Sequence, residues 1–352
     1  MLRFAQSSSR TFLRTMSAQA SSTIPKTQKA WFLNETGDLD VVKYDDFPVP
    51  KIGDKDVLVK NKYAGVNFIE AYYRKGIYPL QKPYVLGQEA SGTVVAIGED
   101  VQGLEVNDKV AYVAGASMAQ YTKVGSDKLL VKLPASTSDD QLKIYAASMI
   151  SVLTALTFTK ECYSIQKGDF ALLYAAAGSA GLAFDQTLKK AGARVIAVAS
   201  TDAKLKLAQE YGAEFLINSS KEDILERVQQ ITNGEGVSVV YDSVGKDTFE
   251  TTLDAVKRKG TVVSYGNASG PVEPVVLAKL SPKNVKLLRP RIFGYLGSQE
   301  EWEYYSNELV TAVNSGEVTI PISKTYSMSE YKQAATELEA RKTTGKTVLE
   351  IS

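Results

Sequence analysis

The chain has 352 residues, enough for about two domains that each bury a core. Its 41 basic and 40 acidic residues nearly cancel, so the composition gives no reason to expect a polyanion as partner of the whole molecule. Histidine is absent and Cys162 is the single cysteine. Together these counts exclude Ser-His-Asp and Cys-His catalysis, an intrachain disulfide and an ordinary zinc site. We therefore expect no metal, and we expect Cys162 to be an inert core thiol.

The N-terminal stretch differs in composition from the rest of the chain. Residues 1–34 are rich in serine and contain no acidic residue, and three arginines precede Met16. An acid-free, Arg- and Ser-rich amphipathic start is typical of a mitochondrial transit peptide, with a disordered leader as the alternative. We place this leader at 1–24 and expect a mitochondrial location, or a cytoplasmic one if translation starts at Met16. Since no run of 18 consecutive apolar residues occurs, we expect no membrane span.

Two patterns follow in chain order. Short strands separated by Gly and Pro predict a β-rich domain first, at 29–33, 56–60, 92–97 and 109–113. From about residue 139 helices and strands alternate. The predicted helices are 141–159, one ending at 190, 204–211 and 300–315, and the predicted strands are 170–174, 194–198, 214–217, 237–241, 260–265 and 346–351. Alternation with continuous apolar strands indicates an α/β fold with a doubly wound parallel sheet.

A small-residue turn follows the strand at 170–174 and opens a helix. Ala176, Gly178 and Gly181 occupy the positions of G-x-G-x-x-G, with alanine in place of the first glycine. Such a turn offers backbone N–H groups and a helix N-terminus to a pyrophosphate. A tight turn without a ligand is the alternative. The predicted cofactor-binding residues of this turn are Ala177, Gly178, Ser179, Ala180 and Gly181.

The end of the next predicted strand indicates which dinucleotide binds. Ser200 lies 22 residues after Gly178, near the position where NAD-binding sites usually carry an acidic residue. Ser200 together with Lys204 suits a 2′-phosphate better than a 2′-hydroxyl, which predicts NADPH rather than NADH. Asp202 is a nearby carboxylate, which we interpret as a cap of the following helix.

At this point the residues resemble a known family. The run from Gly168 to Lys189, with Ala176-Ala177-Gly178-Ser179-x-Gly181 at its centre, resembles the signature of zeta-crystallin-like quinone oxidoreductases, which are zinc-free medium-chain dehydrogenases/reductases. Blocks at 67–79, 241–245 and 263–270 agree, and some features look fungal. Ser179 departs from the family, which usually has a second glycine there. The resemblance covers residues 28–352.

The resemblance implies a domain organisation and a set of site residues. It implies a GroES-like β-rich catalytic domain at 25–153, a Rossmann NADPH-binding domain at 154–289 and a C-terminal return to the catalytic domain at 290–352, with the active cleft between the domains. Asn67, Tyr72 and Tyr78 would orient substrate and nicotinamide, Tyr72 being the best candidate for a proton donor; the alternative for the two tyrosines is core packing. The cofactor contacts implied outside the turn are Asn67, Thr154, Ser200, Lys204, Tyr265, Asn267 and Arg341.

A chain that cannot hold zinc needs an acceptor that is electrophilic without a Lewis acid, such as a quinone or a conjugated enone. We therefore expect an NADPH:quinone oxidoreductase, with either hydride transfer or a one-electron, semiquinone-yielding outcome. The alternative is an NADPH-dependent reductase of 2-alkenals, other enones or enoyl thioesters.

Two further expectations concern partners. The resemblance implies a homodimer, or a tetramer, joined at the edge of the Rossmann sheet. It also allows an activity of another class, binding of AU-rich RNA, for which the sequence gives little support. The short basic run Lys257-Arg258-Lys259 is placed by the pattern on a solvated helix end.

Overall fold

The computed structural model describes residues 24–126 and 129–352, so the predicted leader and Met16 lie outside the described residues, apart from Ile24. The described part forms sixteen strands and nine α-helices. The strands are β1 Thr27–Leu33, β2 Val42–Pro48, β3 Asp56–Gly65, β4 Tyr84–Val85, β5 Glu89–Ile97, β6 Lys109–Val113, β7 Tyr121–Gly125, β8 Leu130–Lys132, β9 Phe170–Tyr174, β10 Arg194–Ala199, β11 Phe215–Asn218, β12 Val237–Asp242, β13 Val256–Ser264, β14 Lys286–Leu288, β15 Ile322–Ser327 and β16 Lys346–Glu350. The helices are α1 Ile69–Arg74, α2 Asp139–Thr157, α3 Ser179–Lys190, α4 Asp202–Tyr211, α5 Ile224–Ile231, α6 Phe249–Ala255, α7 Ile292–Tyr295, α8 Gln299–Ser315 and α9 Tyr331–Glu339.

The second half of the chain builds a six-stranded sheet in the order β11-β10-β9-β12-β13-β14. All of its neighbouring strands are parallel. The central strands β9 and β12 are almost completely buried, as continuous apolar strands between two helix layers must be. The prediction of a parallel, doubly wound sheet is therefore confirmed.

The β-rich part forms a seven-stranded sheet in the order β15-β16-β3-β5-β6-β8, with β7 on β3, and a smaller sheet β2-β1-β4. The last strand, β16, pairs antiparallel with β3. The chain thus rejoins this sheet at β15, which begins at Ile322, whereas α8 packs against α2. The predicted starting point of the return, residue 290, lies well before that strand.

Helix α2 connects the two parts of the molecule. Its first turn is closed by a capping box in which Ser138 and Gln141 bond each other's backbone N–H groups. The helix packs on β3 and β5 of one sheet and on α3 beside the other, and it runs unbroken across the predicted domain boundary at 153–154. By length and composition the helical stretch Asp139–Cys162 is apolar enough to cross a membrane, but 83% of its most apolar window is buried inside the protein. That burial is typical of a core helix.

One placement from the sequence was wrong. Lys257, Arg258 and Lys259 lie on the first part of β13 rather than on a helix end. Helix α6 stops at Ala255, and the chain turns directly into the strand. Lys257 faces Asp169 with a distance of 3.6 Å between Nζ and Oδ1, so the basic run is partly engaged within the fold.

Candidate functional site

The turn between β9 and α3 presents free backbone donors. Gly178 is the N-cap of α3 and offers no side-chain cap. The first helical hydrogen bond runs from Leu182 N–H to Gly178 O, which leaves the N–H groups of Ser179, Ala180 and Gly181 for a ligand. A Cβ at Gly181 would lie 2.4 Å from the carbonyl oxygen of Ala175, so only glycine fits there. This turn suits a pyrophosphate because an anion can approach the helix N-terminus closely.

The chain segment 341–346 runs along this turn. Gly345 N–H donates to the carbonyl of Ala177 at 2.8 Å, and Gly345 forms an isolated parallel bridge with Gly178. Strand β16 begins at the next residue, so the C-terminal sheet strand starts directly beside the predicted phosphate-binding turn. We call residues 341–346 the strap.

Ser200, Lys204 and Arg341 line one cavity of about 640 Å³. Lys204 donates from Nζ to the carbonyl of Arg341 at 2.6 Å, which brings the strap to the start of α4. Four cationic side chains and one carboxylate line the cavity: Lys204, Lys206, Arg341, Lys342 and Glu210.

The positive charges in this cavity outnumber its carboxylates. Within the described residues neither Lys204 nor Arg341 forms an ion pair. Burial, and then the nearby charge of Arg341, lowers the pKa of Lys204. A cation that is destabilised by another cation is stabilised by an anion placed between them. The cavity therefore suits a phosphate group, and the structure brings Ser200, Lys204 and Arg341 together at it, while their contact with the cofactor stays a prediction.

The structure corrects the interpretation of Asp202. The N-cap of α4 is Thr201, whose hydroxyl accepts from Lys204 N–H at 3.3 Å. Asp202 lies one residue later, inside the helix, and its carboxylate binds Asn218 Nδ2 and Lys221 Nζ, both at 2.6 Å. Its charge is thus satisfied outside the cavity, and it does not oppose a phosphate there.

Tyr72 and Tyr78 contact the Rossmann sheet across the cleft. The Tyr72 hydroxyl accepts from Asn267 N–H at 2.8 Å. The Tyr78 hydroxyl accepts from Arg289 Nη2 at 3.1 Å and from Asn267 Nδ2 at 3.4 Å. The two tyrosine rings meet edge to face with their centroids 5.5 Å apart. The two rings therefore take part in packing and also hold polar groups of the parallel-sheet part, while their role toward substrate and nicotinamide stays a prediction.

Electrostatics keep this cluster in a defined protonation state. Tyr72 is 7% exposed and Asn267 is 6% exposed. Burial raises the pKa of Tyr72 well above its usual value, so its hydroxyl stays protonated at neutral pH. Arg289 is fixed by further bonds to the carbonyls of Ser264 and Gly266, both at 3.0 Å. A neutral phenol and a fixed guanidinium are hydrogen-bond donors suited to an acceptor oxygen.

Asn67 is held by a buried ion pair that the sequence did not reveal. Its Oδ1 accepts from Lys346 Nζ at 2.6 Å, and its Nδ2 donates to Glu89 Oε1 at 2.7 Å. Lys346 is the first residue of β16 and Glu89 the first of β5, 257 residues apart. The only sign of this pair in the sequence was Lys346 at the start of an apolar strand, and the sequence did not indicate that Glu89 is its partner.

Two predicted residues are not brought into hydrogen bonds with the others. Thr154 is buried in the last part of α2. The Tyr265 ring is half-buried and packs on Phe158 and Phe184, with centroid distances of 5.8 and 5.6 Å, and its hydroxyl has no partner within the described residues. Roles for these two side chains stay predictions.

Cys162 behaves as a core thiol. It is buried, and its Sγ lies 3.6 Å from the hydroxyl of Tyr295. Burial raises the pKa of the Cys162 thiol to about 11, so almost none of it is thiolate at neutral pH. This agrees with the expectation of an inert side chain.

Sequence and structure comparisons agree with this architecture. Residues 53–136 match the alcohol dehydrogenase GroES-like domain, and residues 180–311 match the family described as zinc-binding dehydrogenase. A GroES-like domain joined to a Rossmann-type domain, with the site residues at their junction, defines a medium-chain dehydrogenase/reductase. Despite the second family's description, the described residues contain no group of three or more Cys, Asp or Glu side chains able to hold a metal ion.

The relatives narrow the class to one family. A probable quinone oxidoreductase of Schizosaccharomyces pombe is 38% identical over 322 residues, which cover 90% of this chain and 95% of the relative. A quinone oxidoreductase of Pseudomonas aeruginosa is 39% identical and covers 89% and 96%. The chain belongs to the quinone oxidoreductase family. The crystal structure of Escherichia coli quinone oxidoreductase complexed with NADPH superposes with a TM-score of 0.87 at 34% identity, over 92% of this chain and 99% of that one.

Proposed function

We propose that this protein is an NADPH-dependent quinone reductase that works without a metal. The observation that carries the proposal is the cationic cavity at Ser200, Lys204 and Arg341, connected through the strap to the phosphate-binding turn. These two features fit the two phosphorylated parts of NADPH. A related quinone oxidoreductase, that of Escherichia coli, was crystallised as a complex with NADPH.

The residues divide the cofactor site into three parts. The N–H groups of Ser179, Ala180 and Gly181 would hold the pyrophosphate, and Lys204 with Arg341 would hold the 2′-phosphate. The nicotinamide end would lie toward Asn67 and Asn267. NADPH bound in this way supplies the reducing equivalents.

The protein's own side chains then supply the polar contacts to the acceptor. Tyr72 is neutral and buried, and Arg289 is fixed beside Tyr78, so both are placed to donate hydrogen bonds to an oxygen that gains negative charge. The chain has no histidine and one cysteine, so it lacks the ligand set that binds zinc in dehydrogenases. We therefore propose an acceptor that needs no Lewis acid, which favours quinones.

A titration and an acceptor panel test this proposal. Nicotinamide fluorescence gives the Kd of the protein for NADPH and for NADH, and we expect NADPH to bind at least tenfold more tightly. NADPH oxidation is then followed with 1,2-naphthoquinone and with a 2-alkenal in parallel, and we expect faster turnover of the quinone. Equal binding of NADH would refute the cofactor assignment, and faster turnover of the 2-alkenal would favour the enone reductase instead.

We further propose a homodimer joined at strand β14. This strand is one of the two edge strands of the six-stranded sheet, and the segment before it exposes Val276 at 65% and Leu277 at 77%. Unpaired strand edges and exposed apolar side chains favour pairing with a second copy. Sedimentation velocity at micromolar concentration should give a dimer, and a Val276→Lys/Leu277→Glu variant should shift it to monomer. A wild-type monomer under these conditions would contradict the proposal.

A mitochondrial location is proposed from the composition of residues 1–24 alone. A fluorescent protein carrying residues 1–24 should enter mitochondria, and one carrying residues 16–24 should remain in the cytoplasm because it lacks all three arginines. Cytoplasmic retention of the longer fusion would refute the targeting role.

A further inference from the structure

The buried ion pair between Lys346 and Glu89 also binds the side-chain amide of Asn67. Lys346 is 1% exposed and Glu89 is fully buried, and Lys346 Nζ lies 2.5 Å from Glu89 Oε1. The other carboxylate oxygen of Glu89 accepts from Ile150 N–H at 2.7 Å, at the middle of α2. A Cβ at Gly65 would come within 2.4 Å of Glu89 Oε1, so the carboxylate fits here because residue 65 is a glycine.

The two charges determine which way the Asn67 amide points. An ammonium group can only donate hydrogen bonds, and an ionised carboxylate can only accept them. Asn67 Oδ1 must therefore face Lys346, and Nδ2 must face Glu89. The opposite orientation would place the amide N–H groups against the ammonium and the amide oxygen against the carboxylate.

This arrangement also limits what Asn67 has left to offer. Nδ2 donates to Glu89 Oε1 and, at 3.4 Å, to the carbonyl of Gly65, which uses its two hydrogens. Oδ1 has two lone pairs, of which Lys346 takes one. Within the described residues, Asn67 is thus left with one acceptor position that has no partner and with no further hydrogen to donate.

The strap connects this acceptor to the phosphate-binding turn. Gly345, which bonds the carbonyl of Ala177, is the residue immediately before Lys346. Lys346 is fixed in turn by its own N–H, which donates to Pro321 O at 2.9 Å. Asn67 is therefore held by the same strap that contacts Ala177 and Lys204.

We propose that Lys346 and Glu89 are positioning residues that hold the Asn67 amide in a single orientation, so that its free oxygen lone pair accepts from a donor of the bound cofactor. The inference rests on the proposed use of NADPH. Neither residue touches the reacting atoms; they act through Asn67, and they set the alignment of the nicotinamide rather than the affinity for the acceptor.

The test removes both charges together. Removing one partner of a buried ion pair leaves an uncompensated charge, whereas replacing both is often tolerated. We therefore use the double variant Lys346→Met/Glu89→Gln, in which the new amide at position 89 still accepts from Ile150 N–H but turns a donor toward Asn67. The matched control is Lys324→Met/Glu337→Gln, which makes the same substitutions at an exposed ion pair with a distance of 3.2 Å on β15 and α9.

Four measurements are made on each protein: the melting temperature, the Kd for NADPH, the steady-state constants with 1,2-naphthoquinone, and the primary isotope effect with C4-deuterated NADPH. For the double variant we expect kcat to fall at least tenfold, the KM for the quinone to stay within threefold, and the isotope effect to rise because transfer becomes slower. The Kd for NADPH should weaken by a few fold. The control should match the wild type. A folded double variant with kcat, Kd and isotope effect within twofold of wild type would overturn the inference.

The wild-type protein separates this inference from the proposed function. If the wild type neither binds NADPH nor reduces the quinone, the proposed function is wrong and the inference is wrong with it. If the wild type is active, the measurements on the variants test the inference alone.

If the double variant does not fold, side-chain amide NMR of the wild type decides. The Asn67 amide protons, identified by their loss in Asn67→Ala, should show stronger through-space contacts to the Glu89 side chain than to the Lys346 side chain without any cofactor. Contacts of equal strength to both side chains, or stronger contacts to Lys346, would overturn the inference.

Discussion

The hydroxyl of Tyr72 accepts a 2.8 Å hydrogen bond from the backbone N–H of Asn267, which lies 195 residues further along the chain. Tyr72 belongs to the short helix α1 beside the seven-stranded sheet, and Asn267 follows β13 of the parallel sheet. This buried bond is therefore one of the contacts that join the two halves of the molecule. It also fixes a neutral phenol next to an amide that the sequence assigned to the nicotinamide end.

The first prediction concerns Tyr72. Tyr72→Phe keeps the ring packing and removes only the hydroxyl, so the fold should persist while kcat with 1,2-naphthoquinone falls by about 100-fold if the phenol donates a proton. Tyr73→Phe, on the same helix, is the matched control and should retain activity. Full activity of Tyr72→Phe with both quinone and enone would remove the catalytic role.

A second prediction concerns the 2′-phosphate. Lys204→Ala removes one charge-assisted hydrogen bond, so the Kd for NADPH should weaken by about 10- to 100-fold while the Kd for NADH changes little. Lys190→Ala, an exposed lysine at the far end of α3, is the control. An equal loss of affinity for NADPH and NADH would show that Lys204 does not bind the 2′-phosphate.

Glu70 should make stability depend on pH. Its carboxyl is buried in α1 with one oxygen unpartnered, and burial raises its pKa to about 7 from an ordinary value of 4.5. Below pH 4.5 the group is protonated whether the chain is folded or unfolded, and its contribution to stability is complete. Between pH 4.5 and 7 the unfolded chain ionises while the folded protein keeps the buried carboxyl protonated, so about 3 kcal/mol of that contribution is lost across this window. Above pH 7 the folded protein ionises as well, and the loss levels off.

The variant Glu70→Gln removes this titration. Its free energy of unfolding, measured in urea, should equal that of the wild type near pH 4.5 and exceed it by about 3 kcal/mol near pH 8. A difference that stays flat across this range would show that Glu70 does not titrate as a buried carboxyl.

Arg74 and Glu339 should stabilise the fold. The Arg74 guanidinium is 1% exposed and binds both carboxylate oxygens of Glu339, at 2.6 and 2.7 Å, which clamps α1 to α9. Glu339→Gln leaves the buried guanidinium with only the exposed Asp38 carboxylate, at 3.7 Å, and should lower the free energy of unfolding by about 3 kcal/mol. Glu337→Gln, on the same helix but in an exposed pair, should change it by less than about 1 kcal/mol. An equal change in the free energy of unfolding for the two substitutions would show that the Arg74–Glu339 pair does not stabilise the fold.

Local patterns explain what the sequence predicted well. Strand β9 and the turn to α3 are specified within about twenty residues by an apolar run and by small residues, and both were found as predicted. The assignment of Ser200 and Lys204 to one phosphate site depended on a short fixed spacing, and the structure places both in one cavity. Helix α2 was predicted from its apolar length.

The features that the sequence missed depend on contacts between distant residues. Glu89 and Lys346 are brought together only because β5 and β16 both flank β3. Asp202 was interpreted as a cap from its expected place in the first turn of α4, and only the backbone shows that Thr201 is the N-cap. Arg74 gives no sign in the sequence that it is buried, since its partner lies on α9.

A single-turnover measurement shows whether this protein oxidises NADPH with a quinone without a metal. The protein is treated with a strong chelator, mixed with one equivalent of NADPH and an excess of 1,2-naphthoquinone, and the loss of nicotinamide absorbance is followed. NADPH should be oxidised completely and at the same rate before and after chelation, and NADH much more slowly. Loss of activity on chelation that zinc restores, or no oxidation of NADPH by the untreated protein, would contradict this expectation.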